Sequence, residues 1–415
     1  MSTATATIER SERVAPDPGP SAAGSADAPA STDRLAALDG LRGLACLVVL
    51  VHHALLTTPI FSAASADPVA ARDAANPLEL VLTWSPLHIV WEGAGAVWVF
   101  FVLSGYVLVR QVREPASFDW VAYYPQRLAR LYVPVFAAVA LAAVLITIFG
   151  NADHGTMASA WMQRRADDVT VKGVLYDGTL LDGAGFTVSP LWSLQWEVWF
   201  SLLLPLFVFA VHPHQAARRP IWLALTAPLA AVAIFMLGGA PYLMVFLVGA
   251  VLAAAKDPIA AVVDRLTRTR WSAVLLWSAC ALWVLVMLPA RWTLAGIPAV
   301  PSSMHVPLSI SAAAVVLVMA LHCRVATRVL TTRVLLWFGA VSFSLYLVHE
   351  PILVALAKIF GDGRLWIALP LGLAIAVAVG AGFWMAVERP ATALSRWIGR
   401  TVKGRRSAPE PASTR

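Results

Sequence analysis

Ten stretches of roughly twenty predominantly apolar residues decide what this chain can fold into. They run 39–58, 89–109, 131–150, 191–211, 221–237, 241–255, 271–289, 306–321, 335–357 and 366–387. At about 1.5 Å per residue, a helix of that length crosses the ~30 Å hydrocarbon core of a bilayer. Lipid offers the backbone no hydrogen-bond partner, so a spanning segment must satisfy its own N–H and C=O groups. The expected fold is an all-α integral membrane protein, a bundle of about ten transmembrane helices. Composition agrees, with 59% hydrophobic and only 13% charged residues, against about 25% charged in soluble domains. The fifth and sixth stretches are short and separated only by Leu237-Gly238-Gly239-Ala240-Pro241, which leaves a tight turn or a re-entrant pair open there.

Lys and Arg collect on the cytoplasmic side of membrane proteins. With the N-terminus inside, 24 of the 31 basic residues fall on inner segments and the rest on outer loops. Both termini are therefore expected in the cytoplasm, and the basic excess is mostly a topology signal that calls for no nucleic-acid partner. Residues 1–34 are rich in Ala, Ser, Thr and Pro and read as a disordered cytoplasmic tail. Residues 391–415 read as a second, basic and loose tail, leaving 35–390 as one membrane domain. Cys46, Cys280 and Cys323 have no paired spacing, so neither a disulfide framework nor a metal site is expected. Of the two long outer loops, 59–88 and 151–190, the second carries Asp153, His154, Asp167, Asp168, Asp177 and Asp182. That suits a substrate vestibule and a plain solvated surface equally.

An ionisable side chain inside a span costs about 2.5–3.5 kcal/mol on insertion scales, so each one needs a reason. Arg42 and His53 are eleven residues apart, which puts them on one helix face, about 16 Å apart along the axis. His52 points about 80° away. Glu197 lies six residues into the fourth span, near the depth of His53, and His349 lies in the outer half of the ninth. A histidine with a buried carboxylate is a general-base pairing. The same groups serve a proton-coupled transporter or flippase as a relay, and depth alone does not separate the two. Elsewhere, Asp39 beside Arg42 reads as an ion pair, and Glu92 faces either the same cavity or the interface. Ser104-Gly105-Tyr106 suits close helix packing. Arg127 and Arg130, one turn apart just inside the membrane, combine positive-inside charge with a geometry suited to phosphate. The 17 tryptophans read as interface anchors and packing.

These segments, in this order, resemble the acyltransferase-3 family of integral-membrane acyltransferases that O-acetylate bacterial surface glycans and macrolide-type metabolites. The matching runs are Leu38-Asp39-Gly40-Leu41-Arg42-Gly43 with the spacing to His53, and Phe100-Phe101-Val102-Leu103-Ser104-Gly105-Tyr106. Then follow Arg127-Leu128-Ala129-Arg130, Leu191-Trp192-Ser193-Leu194-Gln195-Trp196-Glu197, Ser342-Phe343-Ser344-Leu345-Tyr346-Leu347-Val348-His349, and Glu388-Arg389-Pro390. Trp196 and Val198 flank the glutamate where the family more usually has small and acidic residues.

The resemblance implies O-acyl transfer, with polysaccharide modification as one setting, in a bacterial cell (inner) membrane. Acyl-CoA, acetyl-CoA first, would be a co-substrate rather than a bound cofactor. The acceptor would be a hydroxyl of a carbohydrate or of a glycosylated or lipid-linked molecule at the extracytoplasmic side. By the same resemblance His53 is the catalytic base and Glu197 orients or charge-balances it. Arg42, Arg127 and Arg130 hold the donor, while Ser104, Gly105, Tyr106, Trp192, Ser193 and His349 line the channel or substrate site. The bilayer is a partner, and a separate extracytoplasmic protein is compatible with the short tail after Pro390.

Overall fold

The computed structural model of the chain describes residues 31–113, 118–151, 158–181, 184–211 and 240–407, with helices and no strand among them. The first half of the described chain forms α1 (Ser31–Leu56), α2 (Pro59–Ala66), α3 (Pro77–Trp84), α4 (Gly93–Arg113), α5 (Trp120–Phe149), α6 (Val171–Thr179) and α7 (Leu191–Ala210). The second half forms α8 (Ala240–Ala254), α9 (Lys256–Leu266), α10 (Arg270–Met287), α11 (Ala290–Thr293) and α12 (His305–His322). It continues with α13 (Arg324–Leu330), α14 (Arg333–Phe360), α15 (Leu365–Phe383) and α16 (Arg389–Ser407). Nine of the ten apolar stretches fall on these helices, and the tenth, 221–237, lies outside the described residues. Among the described residues, eight helices are long and apolar enough to span, or nine when α8 and α9 are taken as one span bent by 71°. The chain is thus a multi-pass membrane protein. The bend falls where apolar α8 gives way to Lys256-Asp257-Pro258, whose charges disfavour continuing through hydrocarbon.

α1 and α14 form the central pair, and they run parallel and in register. Cys46 Sγ donates to the Ser342 carbonyl at 3.4 Å, and His53 meets His349, each pair 296 residues apart. Glycine sets the approach: a Cβ on Gly43 would stand 2.4 Å from the Leu335 carbonyl oxygen, and one on Gly339 would stand 2.1 Å from that of Asp39. Only hydrogen fits at such a crossing, and without a hydrophobic drive between helices in lipid, close van der Waals contact is what holds the pair. α4 and α8 cross in the same way at Gly105 and Gly249, whose added Cβ atoms would lie 2.1 Å and 2.0 Å from the Phe246 and Val102 carbonyl oxygens.

Two packed groups result. One gathers α4, α7, α8 and α12 around Phe101, Phe200 and Phe246, whose rings stack at centroid distances of 4.4 and 4.5 Å. The other gathers α1, α5, α14 and α15 around Leu50, Val135, Leu345 and Ala376.

The loose tail expected from residue 391 onward is corrected by the structure. Helix continues to Ser407, joined to α15 by a π-helical turn at Trp384–Glu388. That turn changes the hydrogen-bond ladder just ahead of Pro390, so the missing proline N–H falls where the ladder is already interrupted. α16 then packs on α5: Ser395 Oγ donates to the Gln126 carbonyl at 2.8 Å, and Gly399 leaves room for the Gln126 side chain. At the other end, helix begins at Ser31, inside the segment expected to be disordered.

Candidate active site

A cavity of about 1140 Å³ lies among α1, α4, α5, α7, α14 and the start of α16. Its basic end is lined by Arg42, Arg127, Arg130, Arg389 and Arg396, against three carboxylates, Asp39, Glu197 and Glu388. Its other end is lined by apolar side chains of α4, including Val97, Phe100 and Phe101, and by Ser193 and Tyr346. The Ser193 and Tyr346 hydroxyls are 2.5 Å apart, and both also face the Pro190 carbonyl, at 3.0 and 3.3 Å.

Immediately beyond Tyr346 stands the histidine pair. The Tyr346 and His349 rings have centroids 5.9 Å apart, and His53 Nδ1 lies 2.9 Å from His349 Nε2. His349 Nδ1 lies 2.9 Å from the Leu345 carbonyl oxygen. His349 is buried, at 1% exposed, and His53, half-buried, is the more accessible of the two rings. Gly43 and Gly339, ten residues before the two histidines, hold the register that lets the rings meet.

The expected pairing of His53 with Glu197 is corrected. Glu197 takes the Arg127 guanidinium as an ion pair, and Arg127 Nε donates to Ser201 Oγ at 3.0 Å. Spacing had put His53 and Glu197 at one depth, but depth leaves the azimuth free. Ser193, Glu197 and Ser201 follow one another at four-residue intervals, a single helix face, and Ser193 and Glu197 on it line the basic cavity. An arginine in that cavity is the stronger claim on a carboxylate, because the pair is charge-assisted on both sides.

The remaining residues divide. Arg42, Arg127 and Arg130 all line the cavity, with Arg42 3.3 Å from Asp39 in an exposed ion pair. Ser104 and Ser193 line it too. Gly105 does not, because it faces the Phe246 backbone, and Tyr106 is 5% exposed within the packed core. Trp192 packs on Phe101 and Tyr242. Glu92 serves as a helix cap: its Oε1 accepts from Gly95 N at 2.9 Å, and its Oε2 stands 2.7 Å from His88 Nε2.

Several groups at the site escaped the sequence reading. Arg165, counted only as an outer-loop charge, bonds Glu350 Oε1 at 3.0 Å and lies 4.4 Å over the Trp161 ring. Trp161 in turn sits 5.7 Å from the His53 ring, so the loop following α5 closes the site on the side away from the arginines. Lys358 fastens the same loop, donating to the Gly150 carbonyl at 2.8 Å and to Asp167 Oδ1 at 2.6 Å. A signal was present: Glu350 is a charge inside the ninth apolar stretch and Lys358 falls one residue past its end, and a charge at such a place needs a partner. Glu388 likewise accepts from Ser344 Oγ at 2.6 Å and from Ser344 N at 3.2 Å on α14.

Comparison with known proteins bears on this geometry. A family model described as an acyltransferase domain matches residues 35–387. The chain is similar to the acyltransferase MdmB of Streptomyces mycarofaciens, 31% identical over 192 residues, or 46% of this chain and 43% of the relative. It is also similar to the O-acetyltransferase PaAT-1 of Phomopsis amygdali, 27% identical over 215 residues, or 44% of this chain and 41% of the relative. The chain thus spans less than half the length of each of these relatives. No solved structure matches.

Proposed function

The chain belongs to this acyltransferase family, and from that premise we propose that it is a membrane O-acyltransferase. It moves an acyl group, acetyl first, from acyl-CoA to a hydroxyl of a carbohydrate or of a glycosylated or lipid-linked acceptor. The observation that carries the reading is the cavity itself, basic at one end and running to the Tyr346–His349–His53 cluster at the other. Coenzyme A is polyanionic at its nucleotide end and carries the thioester at the tip of a long, weakly polar arm. Arginine guanidiniums suit the phosphates. The roughly 16 Å of helix between Arg42 and His53 suits the arm. The named activities of the two relatives, acyl transfer and O-acetyl transfer, point the same way.

In this reading His53 takes the proton of the acceptor hydroxyl as its oxygen attacks the thioester carbonyl. The tetrahedral intermediate collapses with cleavage of the C–S bond, and the proton passes from His53 to the departing thiolate. Glu197 acts one step removed, fixing Arg127 in the donor cavity. The charge bias puts the arginine end in the cytoplasm, where acyl-CoA is made, and the acceptor meets His53 from the opposite side of a bacterial cell membrane.

Membranes holding the protein, given labelled acetyl-CoA and a panel of glycans and glycosylated alcohols, are expected to acylate a member of the panel. Proton-driven uptake with no label transfer would replace the enzyme with a transporter. Arg130→Ala is expected to raise the KM for acetyl-CoA about ten- to a hundredfold, the worth of one or two charge-assisted hydrogen bonds. The effect should shrink as salt rises. An unchanged KM at low salt would remove Arg130 from the donor site.

A further inference from the structure

The bonding around His349 has a direction, and that direction reaches His53. A carbonyl oxygen only accepts, so His349 Nδ1, 2.9 Å from Leu345 O, must carry the hydrogen. A neutral imidazole holds one ring hydrogen, which leaves His349 Nε2 as an acceptor. Its partner at 2.9 Å, His53 Nδ1, must then be the donor. We infer that His349 is a positioning residue that holds His53 in its Nδ1–H tautomer, with the lone pair on Nε2. This rests on the reading of His53 as the base.

The consequence is chemical. An unconstrained neutral histidine prefers its hydrogen on Nε2, which would leave the lone pair on Nδ1, the nitrogen nearer the backbone. On α1 that nitrogen faces His349 and is closed to a substrate, so a ring left to itself would present an N–H to the acceptor hydroxyl and could take nothing from it. The chain Leu345 O, His349, His53 reverses the preference and leaves the basic nitrogen on the accessible ring. The fixed register of α1 and α14 supplies the alignment, since the rings meet at the same 296-residue offset as Cys46 and Ser342. His349 thus does with a neutral ring what a carboxylate does elsewhere: it orients the base and selects its tautomer.

The test reads ring nitrogens directly and needs no turnover. The full-length protein, carrying ¹⁵N-labelled histidine and held in a lipid nanodisc, is examined by NMR at a pH where the rings are neutral. His53 signals are assigned by their loss in His53→Asn. The expected result is a protonated Nδ1 and a bare Nε2 on His53, with a coupling across the N–H···N bond to His349 Nε2. In His349→Leu the coupling vanishes and the preference reverses toward Nε2–H. A wild-type His53 protonated on Nε2 would overturn the inference, and so would a His349→Leu protein whose His53 tautomer is unchanged. If the Leu variant does not fold, the wild-type tautomer and coupling decide alone. Full acyl transfer by His53→Ala, in contrast, would sink the functional reading without touching the tautomer measurement.

Discussion

His53→Ala is expected to lower acyl transfer from acetyl-CoA by about 10²- to 10⁴-fold, the usual worth of a positioned general base. What remains should be the share due to bringing donor and acceptor together, which the variant keeps. The loss should fall on kcat. The arginines that line the donor cavity are untouched, and Arg42 is three turns away along α1. Membrane insertion and folding should also survive. The α1–α14 crossing is built at Gly43 and Gly339, where the backbones touch, and Cys46 still donates to the Ser342 carbonyl. Removing the ring leaves His349 Nε2 without its donor, and a water can fill a gap of that polarity. The measurement is label transfer at saturating donor, with acetyl-CoA binding determined in parallel. A variant that binds donor normally and transfers at the wild-type rate would show that the proton leaves by another route.

Asp177→Ala is expected to have the largest effect on stability of any change outside the spans, about 3–5 kcal/mol. Asp177 is fully buried at the end of α6, and its carboxylate gathers the segment that leads into α7. Oδ1 accepts from Gly185 N at 2.5 Å and Phe186 N at 2.9 Å. Oδ2 accepts from Thr187 N at 2.6 Å, Val188 N at 3.2 Å and the Thr187 hydroxyl. One side chain therefore satisfies four successive backbone N–H groups. Alanine would orphan them all, at a cost of roughly 1–3 kcal/mol for each group that finds no water. Asp177→Asn should cost about half as much, because it keeps one accepting oxygen but turns an NH₂ toward donors. The readout is a thermal unfolding scan of the purified protein, with Ala falling furthest and Asn between. Activity should drop as well, since Pro190 and Ser193 lie just beyond this segment, with Ser193 at the end of the cavity away from the arginines. A melting curve unchanged in Asp177→Ala would show that the loop is held elsewhere.

The spans were legible because hydrocarbon imposes a length, and length is written in one dimension. Arg42 and His53 share one helix, where the 3.6-residue period alone relates them, and Arg42 lines the cavity while His53 stands in the cluster beyond it. Glu197 shows where that reasoning stops. Its depth was readable from the start of α7, but which neighbour it faces depends on how α7 is rotated against α1 and α5, a property of packed side chains. The same limit hid His349 as the partner of His53: the two lie 296 residues apart, and only the glycine crossing brings them to one height. α16 was missed for a different reason. Its composition is that of a solvated tail, and it is held as helix by the groove of α5 rather than by its own apolar content. The aspartates of the loop before α7 suited a vestibule and a solvated surface equally by composition, yet Asp177 turns inward as a fastener, and Asp167, itself exposed, fastens the loop through Lys358.

The pairing of α1 with α14 also bears on how the protein is made. At about 5–20 residues per second, a ribosome needs roughly 15–60 s to add the 296 residues between His53 and its partner. Throughout that interval α1 carries His53 without the partner ring that α14 will bring. It must wait beside the insertion machinery or in the company of a chaperone, then accept α14 along its glycine face late in assembly. A nascent chain arrested before α14 emerges would contain His53 and three of the cavity's five arginines, yet no finished histidine pair. The site is therefore completed only once α14 has been made.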